Sequence, residues 1–345
     1  MKRIRLSCQI RTVLLSVLVL GCMTACRQQA FQHHTGEVFH TSYHIQYASA
    51  ESLLPDITAC LDSINASLSM FNPHSTLSRI NRAEAGPVDI SSDRLACLMI
   101  ARSLEISRLT AGAFDITVAP LVNLWGFGPQ EQRPATDKAI DSLLSFVGYH
   151  HISFDTENGL LYKSDRRISL DASAIAKGYA CDVVAGLLEK HGIADYLIEI
   201  GGEIRMDGHN AQGEVWKVGI DRPMDDPMAA RRELQSVLQV TGRGLATSGN
   251  YRNFYVQDGS KIAHTIDPRS GYPVENGLLS ATVTAPDCLT ADALATAFMV
   301  MGTEKAVQLT DSLPYIDAYL IYSDGSGQLR TWCSASLRGC LKELE

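Results

Sequence analysis

The chain has 345 residues, 46% hydrophobic and 20% charged, which is ordinary globular material for one large domain or two modest ones. Its formal net charge is −8, and no basic run follows the first eleven residues, which argues against nucleic-acid binding on electrostatic grounds. An anionic ligand would need a local cation or a metal, because the overall field does not favour it.

At the N-terminus, Lys2, Arg3, Arg5 and Arg11 precede the short apolar run VLLSVLVLG (13–21), too short to span a bilayer as a helix. The run ends in small residues before cysteine, at Gly21-Cys22 and again at Ala25-Cys26. This pattern is similar to a bacterial lipoprotein processing site. Residues 1–21 therefore read as a lipoprotein signal peptide, cut before Cys22 or Cys26 to leave a lipidated cysteine; plain secretion without an anchor is the alternative. Residues 27–36 (RQQAFQHHTG) read as a polar tether and 37–345 as a single domain. The expected location is outside the cytoplasm, lipid-anchored to a bacterial membrane and facing the periplasm.

Residues 51–69 place Leu53, Leu54, Ile57, Leu61, Ile64 and Leu68 at helical spacing, and 93–109 repeat the theme. Ile175 to His191 forms a third helical pattern, stopped by Gly192. A strand-like RISL precedes Asp171. Further strand-like runs are YLIEI (196–200), VWKVGI (215–220), SVLQVT (236–241), FYVQ (254–257), LSATVTA (279–285) and IDAYLIY (316–322). Thr290 reads as the N-cap of a helix running to about Met301, with Gly302 after its end. Helices among hairpin-spaced strands predict a mixed α+β fold. The nine cysteines include no C-x-x-C pair or Cys/His cluster, so neither zinc nor a redox dithiol is indicated. Cys60 and Cys97 fall on helical patterns and read as buried thiols.

Several segments carry candidate chemistry. In GAFDITVAPLVNLWGFGP (112–129), Asp115 stands among Ala113, Phe114, Ile116 and Val118. A carboxylate there is costly to bury unless something pairs with it, so it reads either as an exposed edge residue or as a ligand-holding group. In DASAIAKGYACDVV (171–184), small residues let a ligand approach the backbone, and Lys177 on the first helical turns can face a phosphate. The paired glycines of IGGEIRMDG (200–208) mark a sharp turn without dinucleotide-fingerprint spacing, which excludes a Rossmann reading. Thr247, Ser248, Gly249, Asn250 and Arg252, followed by His264, suit an anion. Asp292 and Thr296 share a helix face and offer hard oxygen ligands of the kind that hold Mg²⁺ or Ca²⁺.

In order, GAFDITVAPLVNLWGFGP, DASAIAKGYACD, IEIGGEI, ATSGNYRNFY, HTIDPRSGYPV and TAPDCLTADALATAFMVMG resemble the FAD:protein FMN transferase family, the ApbE-type lipoproteins. The resemblance covers about residues 36–340 in long collinear blocks. It implies an ApbE-like α+β fold of mixed, mostly antiparallel sheets with packed helices. It also implies a substrate, FAD, and a cofactor, Mg²⁺. The FMN half would be attached through a phosphoester to a threonine of an acceptor protein, with release of AMP. Acceptors implied are membrane electron-transport subunits with an exported flavin-accepting loop. Some members instead hydrolyse FAD to FMN and AMP, which makes a pyrophosphatase the alternative. A lipoprotein that only binds FAD is a further reading, against which Asp292, Thr296 and His264 argue. Solute capture for an importer would call for two lobes and a hinge, and neither is evident.

The resemblance assigns FAD contacts to Ala113, Phe114 and Asp115, to Asp171 and Lys177, and to Ile266. It assigns the metal to Asp292 and Thr296 with backbone carbonyls near Ala174 and Ala295. Chemistry rather than the resemblance makes His264 the candidate base for the acceptor hydroxyl, because a free imidazole titrates at about 6.5, and Ser248 and Arg252 would steady phosphate oxygens. Three segments depart from the family pattern. Lys177 stands where members often carry Glu, and Phe39-His40-Thr41 where they favour Met-Gly-Thr. Phe71 replaces a frequent Tyr, a change that keeps ring stacking available.

Overall fold

Polar and apolar residues alternate along most strands, and that alternation sorts the side chains onto two faces of one large sheet. The computed structural model describes residues 30–128, 134–224, 233–251, 254–257 and 260–344. In chain order it begins with β1 (Phe31–Val38), β2 (Thr41–Ala48), α1 (Leu54–Leu68), α2 (Thr76–Arg82), β3 (Gly86–Asp89) and α3 (Arg94–Leu109). Next come α4 (Ala119–Leu124), α5 (Asp137–Leu144), β4 (Ile152–Asp155), β5 (Leu160–Lys163), α6 (Ala176–Lys190), β6 (Tyr196–Ile200) and β7 (Glu203–Asp207). They are followed by β8 (Lys217–Asp221), β9 (Leu234–Gln239), β10 (Arg243–Gly249), β11 (Phe254–Gln257), β12 (Ser260–Ala263) and β13 (Leu278–Ala285). The chain closes with α7 (Cys288–Met301), α8 (Thr303–Ser312), β14 (Asp317–Ser323), β15 (Leu329–Cys333) and β16 (Leu341–Glu343).

The large sheet has eight strands in the order β1-β2-β6-β7-β10-β13-β14-β15, and every neighbouring pair is antiparallel. Ile198, Ala246, Val283 and Leu320 point to one face, into the main core under α1, α6 and α7. Their alternates Ile204, Leu245, Tyr319 and Ile321 point to the other, where Val218, Ile220 and Leu238 of the three-stranded sheet β16-β9-β8 cover them. Small antiparallel sheets β3-β5-β4 and β11-β12 flank these layers. The expected mixed, mostly antiparallel α+β architecture is what the chain adopts.

Helix α7 is the centre of the main core. Between Cys288 and Val300 every residue is buried except the half-buried Thr296, as expected for a helix apolar almost all round. Its N-terminus is secured twice. Asp287 is the N-cap, accepting from Thr290 N at 2.7 Å, and Asp182 of α6 accepts from Cys288 N at 2.9 Å and Leu289 N at 2.8 Å. The cap is thus Asp287 rather than Thr290, whose hydroxyl instead accepts from Arg102 Nη2 at 3.0 Å. Gly302 does end the helix.

Other expectations need correction. Residues 31–36 are not tether: they belong to β1, paired along its length with β2. Their polar composition is that of a sheet-edge strand, which sequence pattern separates poorly from a linker. RISL is not a strand either. Asn81 holds it by side chain, accepting from Leu170 N at 2.7 Å and donating to Leu170 O at 3.0 Å. Cys60 and Cys97 are half-buried, and the described cysteines are free thiols. The signal peptide and the two processing cysteines lie outside the described residues.

Two predictions follow from the seating of α7. A Cβ on Gly244 of β10 would overlap the backbone at Asp287 and Cys288, so Gly244→Ala should cost about 2–3 kcal/mol in denaturant unfolding. Burial pushes the Asp182 carboxyl up to about 7, against the two amides it accepts from. Its folded pKa is raised, so between pH 4 and 7 the folded state holds a proton that the unfolded chain has released. Stability contributed by this group therefore falls as pH rises through that window, by at most about 1.4 kcal/mol per pH unit. Asp182→Asn should show a pH-independent deficit from its lost acceptor and no such slope.

Candidate active site

The entrance to α6 is built from loop segments fastened to each other. Asp171 N donates to Ile116 O at 2.7 Å, tying the DASAIAK segment to the GAFDITV segment. Asp171 is itself buried, and its Oδ1 accepts from Ser173 N at 2.7 Å. Burial raises its pKa, opposed by the Ser173 hydrogen bonds and the Lys177 charge. Asp115 is 5% exposed and fully engaged. Its Oδ1 accepts from Thr117 N at 2.9 Å and Thr117 Oγ1 at 2.7 Å, and its Oδ2 from Tyr149 N at 2.6 Å. Thr117 Oγ1 in turn accepts from Gly148 N at 2.7 Å. Asp115 is thus neither an exposed edge residue nor unpaired: it ties the 115–118 turn to the 148–149 loop. Burial raises its pKa in spite of these donors.

At the crossing of α6 and α7 the backbone itself meets the chemistry. Gly178 N donates to Asp292 Oδ2 at 3.0 Å. Position 178 has no room for a side chain: a Cβ would overlap Cys288 O and lie 2.8 Å from Asp292 Cβ. Beside it, Lys177 Nζ donates to Ser173 O at 3.2 Å and lies 3.4 Å from Glu203 Oε1. Glu203 opens β7 directly after the Gly201–Gly202 turn, where both glycines have positive φ (65° and 105°). It is 6% exposed, and its Oε2 is buried without a hydrogen-bond partner. Glu203 is thus paired with Lys177, and the Asp292 charge also acts on that ammonium. Burial raises the pKa of Asp292, with Lys177 opposing, and pushes Glu203 up to about 8, with Lys177 opposing and Asp292 adding. For Lys177, burial works against the charged form, but Asp292 and Glu203 together hold its pKa above the ordinary lysine value. One turn along α7, Thr296 Oγ1 lies 3.3 Å from Ser248 Oγ at the end of β10.

A groove of about 340 Å³ opens beside this cluster, lined by Phe39, His40, Met70, Phe71, Ser173 and Lys177 among others. The Phe71 ring is 60% exposed, and His40 meets it edge-on at 5.0 Å. Phe39 and His40 form the β1–β2 turn, both with positive φ (53° and 61°). The turn carrying His264 is joined to the same rim, since Thr265 Oγ1 donates to Asn250 Oδ1 at 2.6 Å just beyond Ser248; the His264 ring lies edge-on to Phe127 at 6.2 Å.

The structure thus brings together Asp292, Thr296, Ser248, Lys177, Phe39 and Phe71, with Asp171 adjoining. Ala113 and Phe114 are buried in the main core, leaving only their backbone for a ligand; Ile266 is buried too, bridging Pro273. Ala174 is half-buried on the turn into α6, and Ala295 is buried beside Thr296. Arg252 lies outside the described residues. Sequence reasoning missed Glu203, because the glycines of IGGEI drew the attention; a carboxylate immediately after a glycine turn at the head of a buried strand was the available signal.

The described residues hold no group of three or more His, Cys, Asp and Glu side chains fit for a metal cage. The donor set still suits Mg²⁺: a carboxylate whose Oδ1 accepts no hydrogen bond among the described residues, a hydroxyl, and backbone carbonyls. Mg²⁺ characteristically takes one or two carboxylates and completes its shell with substrate phosphate and water.

An exposed aromatic surface next to a lysine and hard oxygen ligands is a setting that suits a flat ring system bearing phosphate. Residues 39–320 match the ApbE family. The FAD:protein FMN transferase of Vibrio cholerae is 37% identical over 313 residues, covering 88% of this chain and 91% of that protein. That of Escherichia coli K12 is 37% identical over 297 residues, covering 85% and 82%. The structure of the flavin transferase ApbE from Vibrio cholerae superposes with a TM-score of 0.81 at 34% identity, covering 90% of this chain and 99% of that one. The apo flavinyl transferase ApbE of Pseudomonas stutzeri gives 0.79 at 31%, covering 90% and 97%. The chain belongs to the ApbE family.

Removing the shared cation tests the site's charge balance. Lys177→Met leaves two carboxylates buried without a counter-charge and should cost about 3 kcal/mol at pH 8. The loss should shrink at pH 5, where Glu203 is protonated, and Lys177→Met with Glu203→Gln should recover most of it. Denaturant midpoints at the two pH values read all three outcomes.

Proposed function

We propose that this chain is a Mg²⁺-dependent FAD:protein FMN transferase that joins the FMN half of FAD to a threonine hydroxyl of an acceptor protein. The observation that carries this reading is the meeting of Asp292, Thr296 and Lys177 beside the Phe39–Phe71 groove, in a chain of the ApbE family. Flavin transfer is the activity named for its curated relatives, and the chain is a flavin transferase with FAD as substrate.

Each residue has a task in this reading. Phe39 and Phe71 offer ring faces to the flavin or adenine. Asp292 and Thr296, with carbonyls near Ala174 and Ala295, hold Mg²⁺, which when bound neutralises charge on the pyrophosphate and the leaving AMP. Lys177 presents its ammonium to a phosphate oxygen, and Ser248 donates to another. His264 takes the proton from the acceptor hydroxyl. The threonine oxygen then bonds to the FMN phosphorus as the bond from that phosphorus to the bridging oxygen breaks, and AMP leaves. The acceptors proposed are membrane electron-transport subunits with an exported threonine-bearing loop. The chain itself is proposed to be exported and lipid-anchored at Cys22 or Cys26, facing the periplasm, on the strength of its N-terminal pattern.

The test uses the chain from residue 30, which keeps β1 whole, with FAD, Mg²⁺ and an acceptor domain followed by intact mass. The expected result is a gain of one FMN that depends on Mg²⁺ and disappears in Asp292→Ala. His264→Ala should still bind FAD while transfer falls by about 10²–10⁴-fold. Free FMN and AMP with an unmodified acceptor would instead identify a pyrophosphatase.

A further inference from the structure

The proposed active site lies at one rim of the large sheet. The Phe39–His40 turn, the Gly201–Gly202 turn and the Ser248 end of β10 all fall there. Gly201 N donates to Ser42 O at 3.0 Å, Tyr43 pairs with Ile200, and Leu245 pairs with Ile204, so that Ser248 projects past the head of β7. The aromatic groove reaches this rim from the helix-covered face. From the opposite face a second groove, about 610 Å³, reaches the same rim. It runs between the large sheet and β8, lined by Ser42, His44 and Gln46 of β2, Glu199 of β6 and Thr247 of β10, and it ends at Gly201.

We propose that this second groove docks the threonine-bearing segment of the acceptor protein in extended form, delivering its hydroxyl over the rim at Gly201–Gly202. The inference rests on the transferase reading above. Little separates the groove from the site: a Cβ on Gly201 would lie 3.2 Å from Lys177 Cδ and 2.8 Å from Thr41 Cγ2. A glycine at positive φ gives the shortest wall the backbone can build.

The far wall suits an extended chain. β8 is the edge of its three-stranded sheet and pairs only with β9 among the described residues, so its outer backbone edge is a template for strand addition. The lining's charges are largely paired already: His44 Nδ1 lies 2.6 Å from Glu199 Oε2, and Lys217 Nζ 2.7 Å from Glu214 Oε2. The groove thus offers hydroxyl, amide and backbone partners, which suits a neutral polar segment around a threonine. In-line displacement also needs the incoming oxygen opposite the leaving oxygen. With FAD on the helix side, arrival from the strand side meets that demand.

The test uses the full chain with FAD, Mg²⁺ and a soluble acceptor domain. Ser42→Trp and Gln46→Trp fill the groove away from the FAD-binding and metal-binding residues. The expected result is a KM for the acceptor raised at least tenfold, with FAD affinity and kcat at saturating acceptor near wild type. Transfer at wild-type KM in both variants would overturn the docking proposal while leaving the transferase reading intact. A wild-type chain that never modifies the acceptor would instead remove the reading on which it rests. A second measurement keeps the wild-type chain: hydrogen exchange with a non-reactive acceptor carrying Val in place of its threonine. Amides of 217–221 should exchange at least tenfold more slowly, and protection confined to other surfaces would overturn the proposal.

Discussion

The contact on which the site depends is the backbone amide of Gly178 against the carboxylate of Asp292. It exists because α6 and α7 cross too closely for any side chain at position 178. That crossing is held twice at the start of α7. Asp182, one turn along α6, accepts the first amides of α7, and Gly244 lets the start of α7 rest on β10. Shifting either helix would displace Lys177 on α6 relative to Asp292 and Thr296 on α7, since all three sit within two turns of the crossing. Packing and chemistry are therefore one constraint here. The buried face that gives α7 its stability also fixes where Thr296, its one half-buried position before Met301, must point.

A buried cluster of two carboxylates and one ammonium is poor material for stability, because desolvation offsets most of the attraction. Glu203 shows the cost directly, with one oxygen buried and unpartnered and a pKa pushed up to about 8. Such groups persist where the fold over-determines them. Here Glu203 is locked by a two-glycine turn, Lys177 by Ser173 and α6, and Asp292 by Gly178. The result is a buried cluster in which one ammonium offsets the carboxylates beside it. Lys177 supplies that positive charge from its own side chain.

Much of this was legible in the sequence. The apolar faces of α1, α3 and α6 and the run of β6 stand out by period, and Asp292 and Thr296 by their four-residue spacing on one helix. What was not legible depends on partners far along the chain. The edge strand β1 has the composition of a linker and becomes a strand only through β2. Residues 168–170 look like a strand in sequence, but the side chain of Asn81 takes the place of a neighbouring strand. Asp115 presented the right question, a carboxylate among apolar residues, but its partners at Thr117 and at the 148–149 loop could not be read from spacing. Glu203 belongs to the same class: its importance comes from Lys177 and Asp292, elements apart in sequence.

The Phe39–His40 turn shows how such a site is kept rigid. Two non-glycine residues at positive φ strain the backbone, by an amount of order 1 kcal/mol or more each. A two-residue hairpin connection of this kind matches the twist of the strands it joins, so the β1–β2 pairing, unbroken from Phe31–Ala48 to Val38–Thr41, can hold it. Glycine is the residue that a left-handed position such as that of His40 accepts most readily. This chain accepts the strain and gains a ring there, packed edge-on against the exposed Phe71. The rim that hydrogen bonds fix at Gly201 and Ser248 is thereby fixed at its aromatic end as well. The Phe39–His40 turn, the Gly201–Gly202 turn and the Ser248 end of β10 are thus set by one sheet, while Phe71 comes from the segment after α1 and Lys177, Asp292 and Thr296 come from α6 and α7.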